Sequence, residues 1–147
     1  MKSILLFILL GLSLAYDANK AIRYAQTYCK SYNPNYIDYR SQGDCANFVS
    51  QCLIAGGLNL RNCGGRDGKG SIPYVPNLEN CLSTLGWQKS YGMNSHFKAG
   101  YPFFIPGEHA MISTGVSGGT VTYCGHTSDR CNAQIPAPGY WVYYYPN

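Results

Sequence analysis

The sequence predicts an α+β protein in which N-terminal helices pack on an antiparallel β-sheet built by the C-terminal part. Apolar residues recur at helical spacing in two segments before residue 60 and in a shorter one near residues 77–85. From Tyr101 onward, short β-rich runs separated by Gly and Pro take over. No strand–helix–strand alternation occurs, so a parallel doubly wound sheet is excluded.

The chain opens with Met1-Lys2, an almost unbroken apolar run from Ile4 to Leu14, and small residues at Ser13 and Ala15. Residues 1–15 read as a secretory signal peptide. The run is shorter than the roughly 20 apolar residues that span a bilayer, so no stable membrane insertion is expected. Residues 16–147 form one expected domain, read as a monomer. The net charge is +4, one unit of it from Lys2, and the basic residues are scattered singly. No stripe neutralises several phosphates, which argues against nucleic acid as a partner. A mild attraction to anionic surfaces such as bacterial walls is all the charge supports.

Asp17 can cap a first helix running to about Tyr28, with Ala21, Ile22, Ala25 and Tyr28 on one face. Asn33-Pro34-Asn35-Tyr36 is turn chemistry, and the polar run Asp38 to Gly43 leads to a second helix. Tyr36 and Tyr39 are expected close to the start of that helix. Asp44 is its N-cap, Gly56-Gly57 its stop, and Cys45, Phe48, Val49 and Cys52 share a face. Residues 59–70, rich in Gly and Asn, read as a surface loop whose order depends on tying down Cys63. Pro73 and Pro76 precede a short helix, near Asn77 to Leu85, that carries Cys81 and ends at Gly86. Strands are expected at residues 102–105, 110–114, 120–123 and 140–145, with Gly115 to Gly119 as a hairpin connection. The last run, Tyr140 to Tyr145, suits a closing strand with an aromatic face better than a platform for sugars.

Seven cysteines follow the leader, at 29, 45, 52, 63, 81, 124 and 131. In an oxidising compartment disulfides are expected, and the odd count leaves one thiol over. That thiol is assigned to Cys45. First-turn helix amides lack partners and carry partial positive charge, which favours a thiolate. The bland alternatives are a small buried hydrophobe or half of a disulfide. Cys29, Cys52, Cys63, Cys81, Cys124 and Cys131 are then the bridge candidates, with about 15 possible pairings. Cys124 with Cys131 is the expected small loop, worth up to about 2.5 kcal/mol in the chain-entropy model. It would hold His126 in place.

A nucleophilic thiol needs a base, and the base an orienting partner. His109 heads one strand and His126 ends the next, nine and eight residues either side of Gly118, which brings both to one end of the sheet. His96 reads as a loop histidine without a role. Cys124, His126 and Cys131, with Cys45 or His109, could ligate zinc, but no metal-binding spacing is present, so neither metal nor cofactor is expected. Asn47 and Gln51 read as structural, bonding nearby loops.

The block Asp44-Cys45-Ala46-Asn47-Phe48-Val49-Ser50-Gln51-Cys52-Leu53, with Tyr24-Ala25, Asn33-Pro34-Asn35-Tyr36, Gly56-Gly57, Trp87, His109-Ala110 and His126, resembles the amidase-type branch of the NlpC/P60 (papain-like cysteine peptidase) superfamily. The resemblance implies a papain-like fold, which the cysteine count makes disulfide-braced, and cleavage of amide or peptide bonds in bacterial cell-wall peptidoglycan. It implies Cys45 as nucleophile, His109 as base, paired at rest as thiolate and imidazolium, and His126 as the third polar residue. Tyr36, Tyr39 and Asp44 are substrate or oxyanion candidates beside the Cys45 N–H. Where relatives carry Gly-Asp, this chain has Gly100-Tyr101-Pro102, a departure expected at the strand's entry or the cleft. The expected activity is that of a secreted, or phagosomal or lysosomal, cysteine hydrolase with antibacterial character. A papain-like protease or acyltransferase on proteins, and a non-catalytic glycan- or peptide-binding module, are the alternatives.

Overall fold

A computed structural model describes residues 15–65 and 67–147. The expected leader falls on residues 1–14 and Ala15, so all but its last residue lies outside the described residues. Among the described residues no helix is long and apolar enough to cross a membrane.

The helices are α1 (Ala18–Tyr28), α2 (Cys45–Ala55) and α3 (Val75–Thr84), with a 3-10 turn at Arg61–Cys63. Six strands follow: β1 (Gln88–Tyr91), β2 (Pro102–Ile105), β3 (His109–Ser117), β4 (Thr120–Gly125), β5 (Arg130–Pro136) and β6 (Val142–Tyr145). They form one sheet in the order β1-β6-β2-β3-β4-β5, antiparallel throughout. The α+β expectation therefore holds, with helices first and an antiparallel sheet after them.

Helix α2 is the centre of the packing. Every residue from Cys45 to Leu53 is buried, including Asn47, Ser50 and Gln51, so the helix is enclosed rather than docked by the single face the spacing predicts. Its C-terminus closes through Gly57, at φ +96°, with Gly57 N–H donating to Ile54 O and Leu58 N–H to Leu53 O. Gly56 has no room for a side chain, because a Cβ there would run into the Tyr16 ring. Alternate sheet residues Phe104, Ala110, Ile112, Cys124, Val142 and Tyr144 face the helical layer. Phe103, Met111, Val121, Trp141 and Tyr143 form a second core with Phe97 on the other side. The period-2 split is that of a sheet covered on both faces.

The strands absent from the sequence reading, β1 and β5, are the two sheet edges. β1 is exposed along most of its length, and β5 alternates exposed and half-buried, so neither carries an apolar run. The C-terminal aromatics behave as a strand: β6 lies between β1 and β2, with Tyr143 and Tyr144 buried. The Tyr101-Pro102 departure sits at a strand entry and not at a cleft. Tyr101 packs on Tyr16, Trp87 and Phe97, and Gly100, at φ +87°, touches Ala18 too closely for any Cβ.

The disulfides correct two expectations. Cys29 bonds Cys131, and Cys63 bonds Cys81; Cys45, Cys52 and Cys124 are free and buried. Cys124 does not bond Cys131, because its side chain faces the helical core while Cys131 meets Cys29 at the end of α1, with Cα atoms 5.3 Å apart. Cys52 is likewise unbridged: it is fully buried on α2, and burial pushes its thiol well above the ordinary value. Cys63 is tied down, as expected, and its partner, which the sequence left open, is Cys81 on α3. Opening Cys29–Cys131, a separation of 102 residues, should cost more stability than opening Cys63–Cys81, a separation of 18. The chain-entropy model gives about 4.7 against about 3 kcal/mol. Urea unfolding of Cys131→Ser and Cys63→Ser under non-reducing conditions measures the order, and equal losses would contradict it.

Candidate active site

Cys45 is the first residue of α2, with the helix beginning in the Phe48 N–H to Asp44 O bond. The amides ahead of that bond have no intrahelical acceptor, so the N-terminus presents donors beside the thiol. Cys45 is only 8% exposed, yet it lines a cleft of about 200 Å³ with His109, Gln42, Gly43, Tyr74, Glu108 and Thr127. A second hollow of about 240 Å³ shares Gln42, Gly43, Pro73 and Tyr74 and adds Tyr39. Tyr74 is 60% exposed and stands along both.

His109 arrives at the cleft because β3 begins there, between the Ile105–Glu108 turn and the buried Ala110. Burial pushes its imidazole below the ordinary 6.5, favouring the neutral ring. Among the described residues its side chain makes no hydrogen bond, to Cys45 or to any other group. Cys45 and His109 thus share a cleft without a hydrogen bond between them, and the lowered imidazole disfavours the expected imidazolium.

His126 corrects the expected triad. It lies at the same end of the sheet as His109, but its Nδ1 is 2.5 Å from Asp44 Oδ2 and its Nε2 is 2.7 Å from Tyr28 O. Both ring nitrogens are thereby used, so His126 does not orient His109. The ring stacks on Phe48 with centroids 3.9 Å apart and tilts against Tyr32 at 4.4 Å. Both His126 and Asp44 are 2% exposed. The carbonyl of Tyr28 can only accept, so Nε2 donates to it, and Nδ1 faces the carboxylate.

Asp44 is accordingly at the N-cap position without capping. Its side chain makes no cap bond; Oδ2 meets His126 and Oδ1 accepts from Asn47 Nδ2 at 2.8 Å. It lines a separate cavity of about 250 Å³, together with His126, Tyr36, Asn47 and Gln51. Tyr36 therefore stands outside the Cys45 cleft, as does Tyr39, which reaches only its extension. Asn47 and Gln51 do bond the neighbouring chain, Asn47 Nδ2 donating to Ile37 O and Gln51 Oε1 accepting from Tyr24 Oη. The zinc set is dispersed, with Cys131 in a disulfide, and among the described residues no three His, Cys, Asp or Glu gather around one point.

Thr127, like Tyr74 and Glu108, is a cleft residue that the sequence reading missed. Its Oγ1 accepts the Asp44 N–H at 3.3 Å, and its φ is +79°. Adjacency to His126 is the only local signal it carries.

Comparison with known proteins agrees with an amidase-like assignment. Residues 15–101 match the family described as "Putative amidase domain". The chain is 38% identical over 93 residues to "Uncharacterized protein YhbB" of Bacillus subtilis (strain 168), over 61% of this chain. It spans 27% of that relative's length. No solved structure matches.

The two histidines should separate by experiment. Removing either partner of a buried pair leaves the other unpaired, at a cost of about 3–5 kcal/mol. His126→Ala should lose that much in urea unfolding, whereas His109→Ala, at a half-buried and unbonded position, should lose less than about 1 kcal/mol. Equal destabilisation by the two would contradict the structural role of His126.

Proposed function

The chain belongs to this amidase-domain family, and from that premise we propose that it is a secreted cysteine hydrolase cleaving amide or peptide bonds of bacterial peptidoglycan. The observation that carries the reading is that one cleft is lined by a cysteine in the first turn of a helix and by a histidine from the adjoining sheet. A helix-borne thiol beside a histidine supports covalent chemistry at sulfur. Secretion is supported by the apolar leader and by two disulfides. The peptidoglycan substrate is supported by the resemblance of the Asp44-to-Leu53 block to the NlpC/P60 superfamily and by the Tyr39 and Tyr74 wall beside the cleft.

His109, neutral at rest, accepts the Cys45 thiol proton as Sγ bonds to the substrate carbonyl carbon. The carbonyl π pair moves to oxygen, and the first-turn amide of Cys45 donates to that oxyanion. When the intermediate collapses, the C–N bond breaks and His109 returns its proton to the leaving amine, which completes the thioester. Water then attacks the thioester with His109 again as base. Sulfur leaves, and the carboxylic acid and free thiol are restored.

The purified protein incubated with peptidoglycan should release new amine-bearing fragments by mass spectrometry, and Cys45→Ala should release none. Wild-type protein that releases nothing from peptidoglycan would overturn the substrate; release from a protein substrate alone would make it a papain-like protease.

The pH dependence follows from His109. Its folded value lies below 6.5, so the base is lost only as pH falls through that lowered value. Between about 6.5 and the lowered value the unfolded chain binds a proton that the folded chain does not, so the contribution of His109 to stability is complete above about 6.5 and is lost as pH falls. The acid limb of kcat/KM should have its midpoint below 6.5. A midpoint above that value contradicts the neutral-base mechanism.

A further inference from the structure

We propose that Thr127 is a catalytic residue whose hydroxyl is the second donor to the oxyanion formed at Cys45. The inference rests on the cysteine-hydrolase reading and completes it, since the first-turn amide is one donor and tetrahedral intermediates are ordinarily held by two or more.

Three observations converge on this side chain. Thr127 lines the cleft with Cys45 and His109, and it is exposed there. Its Oγ1 accepts the N–H of Asp44 at 3.3 Å, and the next amide along the chain is that of Cys45 itself. The oxygen is therefore anchored beside the turn from which the first donor projects. A hydroxyl that accepts one bond still has a proton to give, and among the described residues nothing takes it. The proton can turn into the cleft. Finally, Thr127 adopts φ +79°, a region that β-branched residues avoid. Asp129 and Asn132 in the same hairpin also have positive φ, but Asp and Asn tolerate it. A turn that had only to reverse the chain would be easier with glycine at position 127.

Other candidates fit less well. Gln42 lines the cleft with a side-chain amide, yet it is exposed and, among the described residues, that amide makes no hydrogen bond. Tyr36 lines the separate Asp44–His126 cavity, and Tyr39 only the cleft's extension.

In the step itself, Cys45 Sγ forms its bond to carbon and the carbonyl π pair moves to oxygen. Thr127 Oγ1–H and Cys45 N–H bond that oxygen without transferring their protons. The pair returns when the amine leaves.

Three variants at position 127 test the proposal, with peptidoglycan hydrolysis and alkylation of Cys45 by iodoacetamide as paired readouts. Alkylation is a displacement at saturated carbon and develops no oxyanion, so it reports thiol position and access without this donor. Thr127→Val should lower kcat about 100-fold to 1,000-fold, the usual effect of losing one oxyanion donor, with the alkylation rate unchanged. Thr127→Ser should restore most of that rate. Thr127→Gly should melt at higher temperature than wild type, having relieved the backbone, and should still turn over as slowly as the valine variant. A valine variant within about threefold of wild type overturns the proposal, as does a parallel fall in alkylation, which would make Thr127 a positioning residue. A fully active glycine variant overturns it too. If wild-type protein hydrolyses nothing, the hydrolase reading fails and takes this inference with it; an active wild type with an equally active valine variant sinks the inference alone.

Discussion

The 2.5 Å contact between His126 and Asp44 is the interaction on which the arrangement of the cleft depends. It joins the end of β4 to the residue that precedes α2, and the other ring nitrogen of His126 reaches the last residue of α1. Three elements far apart in sequence are thus held at one imidazole. Burying such a pair is expensive, and it is tolerated only when the remaining polar atoms are satisfied. Here Asn47 occupies the second carboxylate oxygen, Tyr28 O occupies the second ring nitrogen, and Phe48 and Tyr32 cover the ring. A histidine so fully engaged cannot also accept a proton for catalysis. In the proposed mechanism that task is given to His109, which is half-buried and, among the described residues, has no hydrogen-bonding partner.

What the sequence revealed and what it concealed follow from the range over which each signal acts. The position of Cys45 was legible because Asp44, the helical spacing of Phe48, Val49 and Cys52, and the glycine stop all lie on the same short helix or at its ends. The partner of Asp44 was not, because His126 is 82 residues away and an aspartate before a helix has a sufficient local explanation as a cap. Cysteine parity pointed to one free thiol, but an odd count fixes only that the number of free thiols is odd, and three are free. The apolar core strands were readable by composition. The edge strands were not, since an edge exposes much of its surface and needs no apolar run.

The family match and the geometry bear on different halves of the chain. Residues 15–101 carry the match and include α1, α2 and α3, hence Cys45, Asp44 and the buried polar stripe. His109, His126 and Thr127 lie beyond it, on strands β3 and β4 and the turn that follows. The helix that bears the thiol thus lies inside the matched region, while His109, His126 and Thr127 are placed only by the sheet. The pairing of β3 with β4, which shifts by one residue at a bulge between Ser113 and Gly115 and sets Ile112 opposite Cys124 beyond it, brings His109 and His126 to the same end and leaves the β4–β5 turn beside α2.

That turn also explains how a strained residue can persist at the cleft. His126 and Thr127 are consecutive, one buried and one exposed, and their side chains are held on opposite sides of the residue before Cys45: the imidazole by the Asp44 carboxylate, the hydroxyl by the Asp44 amide. Holding a threonine at positive φ costs on the order of 1–3 kcal/mol. Releasing it by swinging the turn away would break the buried pair, at about 3–5 kcal/mol. The anchor outweighs the strain, and the Cys29–Cys131 bridge further restrains β5 on the far side of the turn. A residue that evolution could relax by substitution, but that the fold cannot relax by moving, is where chemistry outside the cysteine–histidine pair is to be sought.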